Sequence, residues 1–567
     1  MARALRLVAL AFALAALVFV IGRSFGPQPG ERPPAQELTA SLRSEPSRYI
    51  RYVEATAAGD LVSLLVDGRL VRLNRATDTI EAGLAETWTV SEDGRTYSLS
   101  LRRGVRFSDG APFTAADVLF SARVLYDPNV NSALASAMRM GGEPIEFAAI
   151  DDHTVSMTLP APFTEGLRLL ENLPVLPKHL LEAALGEGRL AEAWQVGTPV
   201  SGIAGLGPFV LAEHVAGGRL VFARNPHYWR VDGEGTRLPY LDRLTVLIVP
   251  DQNAEALRLT AGEIDLMSNG DIRPDDYATF KRASEAGHLR LLEVGVGLDP
   301  NMLWFNLTPG ARARLAWLHD RRVRQAISFA VDRQAMADTV YLGAGVPVHG
   351  PVTPGNATWY SASAPQYPHD PARARQLLAE AGLVDRDGDG MLEGANGRPA
   401  RFTIVTQKGN TPRERAAAMV QEHLRQVGIA VEIAAFDQGA IFQLWQSGEY
   451  DSIYFGVQAS ATDPALNPDF WLSGGAYHFW NPAQSRPATE WEARIDDLMR
   501  RQSAAPSLSE RQALFAEVQR IIGEELPAIY FVAPRVIVAV TPRVGNPTPV
   551  LQAPQLLWTA ETLSALR

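Results

Sequence analysis

The chain has 567 residues, 46% hydrophobic and 20% charged, which is too long for one core and too apolar for disorder, so two or three globular units are expected. Lys and Arg number 53 against 63 Asp and Glu, a net charge of −10 with scattered basic residues, which argues against a nucleic-acid partner. There is no cysteine, which excludes disulfides, thiolate metal sites, a cysteine nucleophile and a lipid-modified N-terminal cysteine.

Arg3 and Arg6 precede an unbroken apolar run over residues 7–21. As a helix this run rises roughly 22 Å, short of the ~30 Å hydrocarbon core, so residues 1–26 read as a secretory signal, with an uncleaved anchor as the alternative. A Pro-rich tether over 27–40 follows. No later apolar run reaches spanning length, so the remainder is expected outside the membrane, periplasmic or extracytoplasmic.

Further along, "TYSLSL" (96–101) alternates as a strand, and "TAADVLFSARVLYD" (114–127) reads as a helix with Thr114 as N-cap and Asp117 three residues on. "GPFVLAEHVAGGRLVFARN" (207–225) is a hairpin around "AGG", and "LTVLIV" (244–249) is a strand followed by a helix. "NMLWFNL" (301–307) predicts a strand and "DRRVRQAISFAVDRQAM" (320–336) one helix. Strands at 402–406, 431–436 and 450–457 alternate with helices over 412–427 and 438–447, a series that predicts a mostly parallel sheet. "IYFVAP" and "VIVAV" close the chain as strands.

Little in this pattern points to catalysis. No two histidines stand at metal-ligand spacing, and "GRSFG" (22–26) matches a nucleophile pattern only beside the apolar leader, outside any strand–helix junction. No local carboxylate pair marks a general acid and base, so the chain is not expected to be an enzyme and no cofactor is expected. "DRDGDGMLEG" (385–394) is different: Asp385, Asp387 and Asp389 alternate before Gly390, the first half of a calcium loop. The twelfth position is Asn396 where a bidentate Glu would stand, and Glu393 is the substitute. The set Asp385, Asp387, Asp389 and Glu393 therefore reads either as a structural calcium site or as a polar turn.

Several stretches together resemble the extracellular solute-binding proteins of family 5, the peptide and nickel receptors of ABC importers. They are residues 84–128, with "VRFSDGAPFTAADV" at their centre, then "RNPHYW" (224–229), "DRRVRQAISFAVDR" (320–333), "YPHDPARARQLLAEAGL" (367–383) and "VQEHLRQVGIAVEI" (420–433). The resemblance implies an α/β periplasmic-binding-protein fold of two lobes joined by a hinge. Lobe 1 is expected over 41–290, with a subdomain inserted over about 76–200. Lobe 2 is expected over 300–525, and residues 530–567 return to lobe 1. It implies a binding component that captures a peptide or peptide-like solute and delivers it to membrane permease subunits. A sugar oligomer, another non-peptide solute or a sensor role stands as the alternative.

The resemblance implies that, in the peptide-binding relatives, a loop after a core strand supplies an acidic partner for the solute's α-amino group, four residues before the proline of an acidic-Pro pair. Here that pair is Asp463-Pro464, and counting back gives Ser460, which cannot neutralise an ammonium. The candidate ligand-binding residues are accordingly Gly456, Gln458, Ser460 and Asp463, with Trp445, Trp471 and Trp480 as aromatic walls. A solute without a bare ammonium at this position is the expectation.

Overall fold

The computed structural model describes residues 36–54, 56–140, 142–268, 272–457 and 463–566. The signal reading and most of the tether lie outside the described residues, although the strand Glu37–Leu42 takes the last positions assigned to the tether. Among the described residues no helix is long and apolar enough to cross a membrane.

Two large sheets carry the architecture. The first runs in the order Phe209–Val215, Arg219–Arg224, Arg243–Ile248, Glu37–Leu42, Leu266–Met267, Val532–Val540 and Arg290–Val296, and Gly345–Pro347 also pairs with Val532–Val540. Its centre is parallel, with Glu37–Leu42 between Arg243–Ile248 and Leu266–Met267. The second runs Ala430–Phe436, Arg401–Gln407, Ser452–Gly456, Asn301–Phe305, Ala528–Tyr530. The first three of these are parallel, as the β-α-β-α-β series predicts, and Asn301–Phe305 is antiparallel to both of its neighbours, so the sheet as a whole is mixed. An antiparallel sheet of four strands, Ala85–Val90, Thr96–Leu101, Thr154–Thr158 and Glu146–Asp151, forms a separate layer within the first lobe.

The lobe-2 sheet is buried on both faces, which explains its near-continuous apolar strands. Tyr454 points to a core shared with Ile327, Leu378, Val420 and Leu424, while Ile453 and Phe455 point to one shared with Trp445, Met499 and Ile522. The chain passes between lobes twice, from Val296 to Asn301 and from Tyr530 to Val532. Gly297 N donates to Pro534 O at 2.7 Å, clamping the two crossings together. A side chain at Gly297 would meet that carbonyl at 2.8 Å, so only glycine fits the approach.

The predicted helix over 320–336 is two helices, Arg321–Ala330 and Arg333–Thr339. Val331 is extended, and Asp332 starts the second helix by accepting from Ala335 N at 2.9 Å. The break turns Arg333 inward. Its guanidinium donates to the carbonyls of Val348, Tyr530, Ser328 and Tyr367, so it ties the lobe-2 end of one crossing to the helices.

Candidate solute site

Ligands of open α/β sheets sit beyond the carboxyl ends of the strands. In lobe 2 that edge is formed by Gln407 and Gly456, and the helix Thr411–Arg425 starts there, capped by Asn410. Arg413, in its first turn, lies back across the strand end. Its Nε donates to Asn301 Oδ1 at 2.9 Å, its Nη1 donates to Gln407 Oε1, and its guanidinium sits 4.0 Å from the Phe455 ring centroid. Asn301 is in turn oriented by Nδ2 donating to Tyr341 Oη at 3.0 Å. The absent side chain of Gly456 makes room for this arrangement, because a Cβ there would stand 2.7 Å from Arg413 Nη2.

Arg413 is part-buried, and no carboxylate lies within 4.0 Å of it among the described residues. Burial pulls its pKa down, and the nearby tyrosines Tyr454 and Tyr341 only partly oppose this. A cation in the first turn also opposes the helix dipole. Two residues on, Arg415 reaches Asp275 of the lobe-1 helix Pro274–Glu285 at 3.8 Å, so this helix end faces the other lobe. An anionic group entering between the lobes would find in Arg413 a planar, oriented donor with no carboxylate partner among the described residues.

The sequence-predicted residues fare unequally. Gly456 is at the strand end, in contact with Arg413 as described. Gln458 and Ser460 lie outside the described residues. Asp463 is not free to hold a solute: it is buried, and its Oδ1 accepts from Arg511 Nη2 at 2.5 Å and from Ala465 N at 2.9 Å. Its position before Pro464 makes it the cap of a short 3-10 turn, Pro464–Leu466, and burial demands the charged partner it has.

The three tryptophans are core residues, not walls of a cleft. Trp445 Nε1 donates to Phe479 O at 3.0 Å. Trp471 packs edge-on against Phe470 and Phe515 at 4.7 and 4.9 Å. Trp480, 1% exposed, donates to Glu492 Oε1 at 3.3 Å. Their ring partners are Phe442, Phe470 and Trp491 from nearby in the chain and Phe479 and Phe515 from farther along it, and spacing along the chain cannot reveal which of them close over the rings. The same holds for Arg413: "NTPRER" reads only as a capped helix start, and its contacts to Asn301 and Gly456 come from tertiary pairing.

In the loop after Leu383, the carboxylates of Asp385, Asp387, Asp389 and Glu393 converge, with one oxygen of each within 4.8 Å of the others. Hard oxygen donors of this kind suit calcium. The same carboxylates also accept backbone N–H groups, Gly388 and Gly390 to Asp385, Asp389 to Asp387, Met391 to Asp389 and Arg386 to Glu393, so the loop is also satisfied as a turn.

Comparison with known proteins agrees with this architecture. The profile of the bacterial extracellular solute-binding proteins, family 5 (middle region) matches residues 79–479. The chain is 26% identical over 506 residues to a probable ABC transporter-binding protein of Deinococcus radiodurans, covering 86% of this chain and 85% of the relative. It is 26% identical over 500 residues to di/tripeptide-binding protein 1 of Pseudomonas aeruginosa, covering 85% of each. The crystal structure of the ABC transporter substrate-binding protein CtaP from Listeria monocytogenes superposes with a TM-score of 0.76 at 20% identity, over 94% of this chain and 100% of that one. With the fold, the order of its elements and a profile match over most of the chain in agreement, the protein belongs to the bacterial extracellular solute-binding proteins, family 5.

Proposed function

We propose that this chain is the substrate-binding component of an ABC importer, capturing a peptide or peptide-like solute between its lobes and handing it to membrane permease subunits outside the cytoplasm. The observation that carries the reading of the solute is Arg413, an oriented guanidinium without a carboxylate partner among the described residues, at the carboxyl edge of the lobe-2 sheet and facing lobe 1. The solute presents a carboxylate there. It presents no bare ammonium to the stretch around Asp463, since that carboxylate is committed to Arg511. A relative named for di- and tripeptides supports a short peptide as the class. Binding, not bond cleavage, is the task, and Arg413 supplies a hydrogen-bonding fork and no nucleophile.

Native mass spectrometry of the purified protein will identify carried solute. Calorimetry with alanine tripeptides that are free, N-acetylated or C-amidated, beside a short oligosaccharide, tests the recognition. N-acetylation is expected to be tolerated, and C-amidation to weaken binding on the order of tenfold or more. Tight binding of the free peptide that disappears on N-acetylation would overturn the assignment, and preference for the oligosaccharide would replace the solute class.

A further inference from the structure

Arg511 carries out a second task besides holding Asp463. Its guanidinium is 1% exposed, with Nη2 on Asp463 and Nη1 donating at 2.6 Å to Oε1 of Glu165, a residue of lobe 1. Nε donates to Gln502 O at 3.1 Å, and the group lies 5.0 Å from the Trp359 ring centroid. The other oxygen of Glu165 faces its own lobe, where Arg168 Nε donates to it at 2.6 Å. Arg168 also donates to Asp78 Oδ1 at 2.7 Å. Five charges therefore alternate in one line: Asp78, Arg168, Glu165, Arg511, Asp463. Three belong to lobe 1 and two to lobe 2.

The neighbouring contacts are also between lobes. Thr164 Oγ1 donates to Ala505 O at 2.9 Å, and Thr164 N donates to Ser503 O at 3.3 Å. On the far side of Asp463, Ala465 and Leu466 pack into the lobe-1 core. Within each lobe the arginine keeps a carboxylate when the lobes part, Arg168 with Asp78 and Arg511 with Asp463. Glu165 keeps Arg168. Within the ion-pair line only the Glu165–Arg511 link must break on opening, together with the Thr164 hydrogen bonds and the packing of Ala465 and Leu466, and both sides of that break remain charge-neutralised in part.

We propose that Glu165 and Arg511 form a latch that holds the two lobes closed. The ion-pair line makes closure reversible, because neither lobe is left with a bare buried charge when it opens. Arg511 is a positioning residue on the lobe-2 side. It fixes the turn that packs on lobe 1, and Glu165 is the partner it meets only on closure. This rests on the reading of the chain as a two-lobed trap and not on which solute it carries.

The chain has no cysteine, so two introduced ones give unique spin labels. Glu92→Cys in lobe 1 and Ala379→Cys in lobe 2, both exposed, report the separation of the lobes by pulsed electron resonance. The measurement is made on the full chain, without solute and with N-acetyl-trialanine. Glu165 is the safer position to vary, because removal of Arg511 leaves Asp463 buried and unpaired. In Glu165→Gln the closed fraction is expected to fall on the order of tenfold. Glu165→Asp should fall between parent and Gln, and Glu165→Lys should open the protein further. A purely structural role for Glu165 would lower the melting temperature and leave the distance distribution in place. An unchanged distribution across the series, or a parent without a closed population in either condition, overturns the latch. Failure of N-acetyl-trialanine to bind while the solute-free parent shows a closed population overturns the solute reading alone, since the solute-free distances then still test the latch.

Discussion

Arg413 and Glu492 are both charged groups inside lobe 2, and their surroundings assign them opposite tasks. Arg413 has amide oxygens and an aromatic face about it but no acid within reach among the described residues. Arg413→Gln is expected to weaken a carboxylate-bearing solute on the order of tenfold to a hundredfold by calorimetry while the melting temperature stays close to that of the parent. Glu492, 3% exposed, accepts from His478, Trp480 and Gln484 side chains and from the backbone of Ala488 and Thr489. Burial works to raise its pKa, but the hydrogen bonds from His478, Thr489 and Ala488 and the electrostatic pull of His478 outweigh it and leave the carboxyl below its ordinary 4.5. A depressed carboxylate stabilises the fold above the unfolded value and loses that contribution as pH falls through the folded one. Glu492→Gln is therefore expected to cost about 2 kcal/mol at pH 7 in denaturant melts. The difference from the parent should shrink as pH drops below 4.5. A constant difference down to pH 3 would remove Glu492 from the acid-sensitive groups.

At the scale of the element, capping decides where helices begin, and packing decides where they stop. Thr114 and Asp117 form the expected capping box at the helix Ala115–Tyr126, with Thr114 N donating to Asp117 Oδ2 at 2.9 Å. By contrast, the apolar stripe over 320–336 gives no hint of a break at Val331. Asp332 competes there as an N-cap, and the break is needed to bury Arg333 among carbonyls. The loop 385–393 is the element whose chemistry one measurement decides. If calcium binds the four converging carboxylates, it stabilises the fold by about 2.7 kcal/mol when free calcium exceeds Kd about a hundredfold. Thermal melts should then rise with calcium, and Asp387→Ala should abolish the rise. A parent melting temperature indifferent to calcium assigns the loop to the polar turn that its backbone hydrogen bonds already satisfy.

For the whole molecule, two sheets joined by two adjacent crossings form a hinge, and Gly297 N bonded to Pro534 O keeps the crossings in step. Solute bound between the lobes should lower the radius of gyration in small-angle scattering. A profile unchanged at saturating solute would contradict trapping by closure. Gly297→Val places a branched side chain against Pro534 O, and is expected to disturb the hinge and lower both solute affinity and stability, read by calorimetry and denaturant melts.

Periodicity, capping residues and the ordered family stretches were legible in the chain itself, because they depend on neighbours three or four positions apart or on local turn chemistry. The strand at 96–101, the helix at 438–447 and the two-lobed α/β class follow from them. The site was legible only as a place, the end of the strand Ser452–Gly456. Which side chains face it depends on pairings across long separations. Arg413 meets Asn301 from 112 positions away, and Arg511 takes Asp463 from 48 positions away and Glu165 from 346. Trp445, Trp471 and Trp480 became core because Phe479, Phe515 and Trp491 close over them, and only the tertiary structure decides which faces are covered.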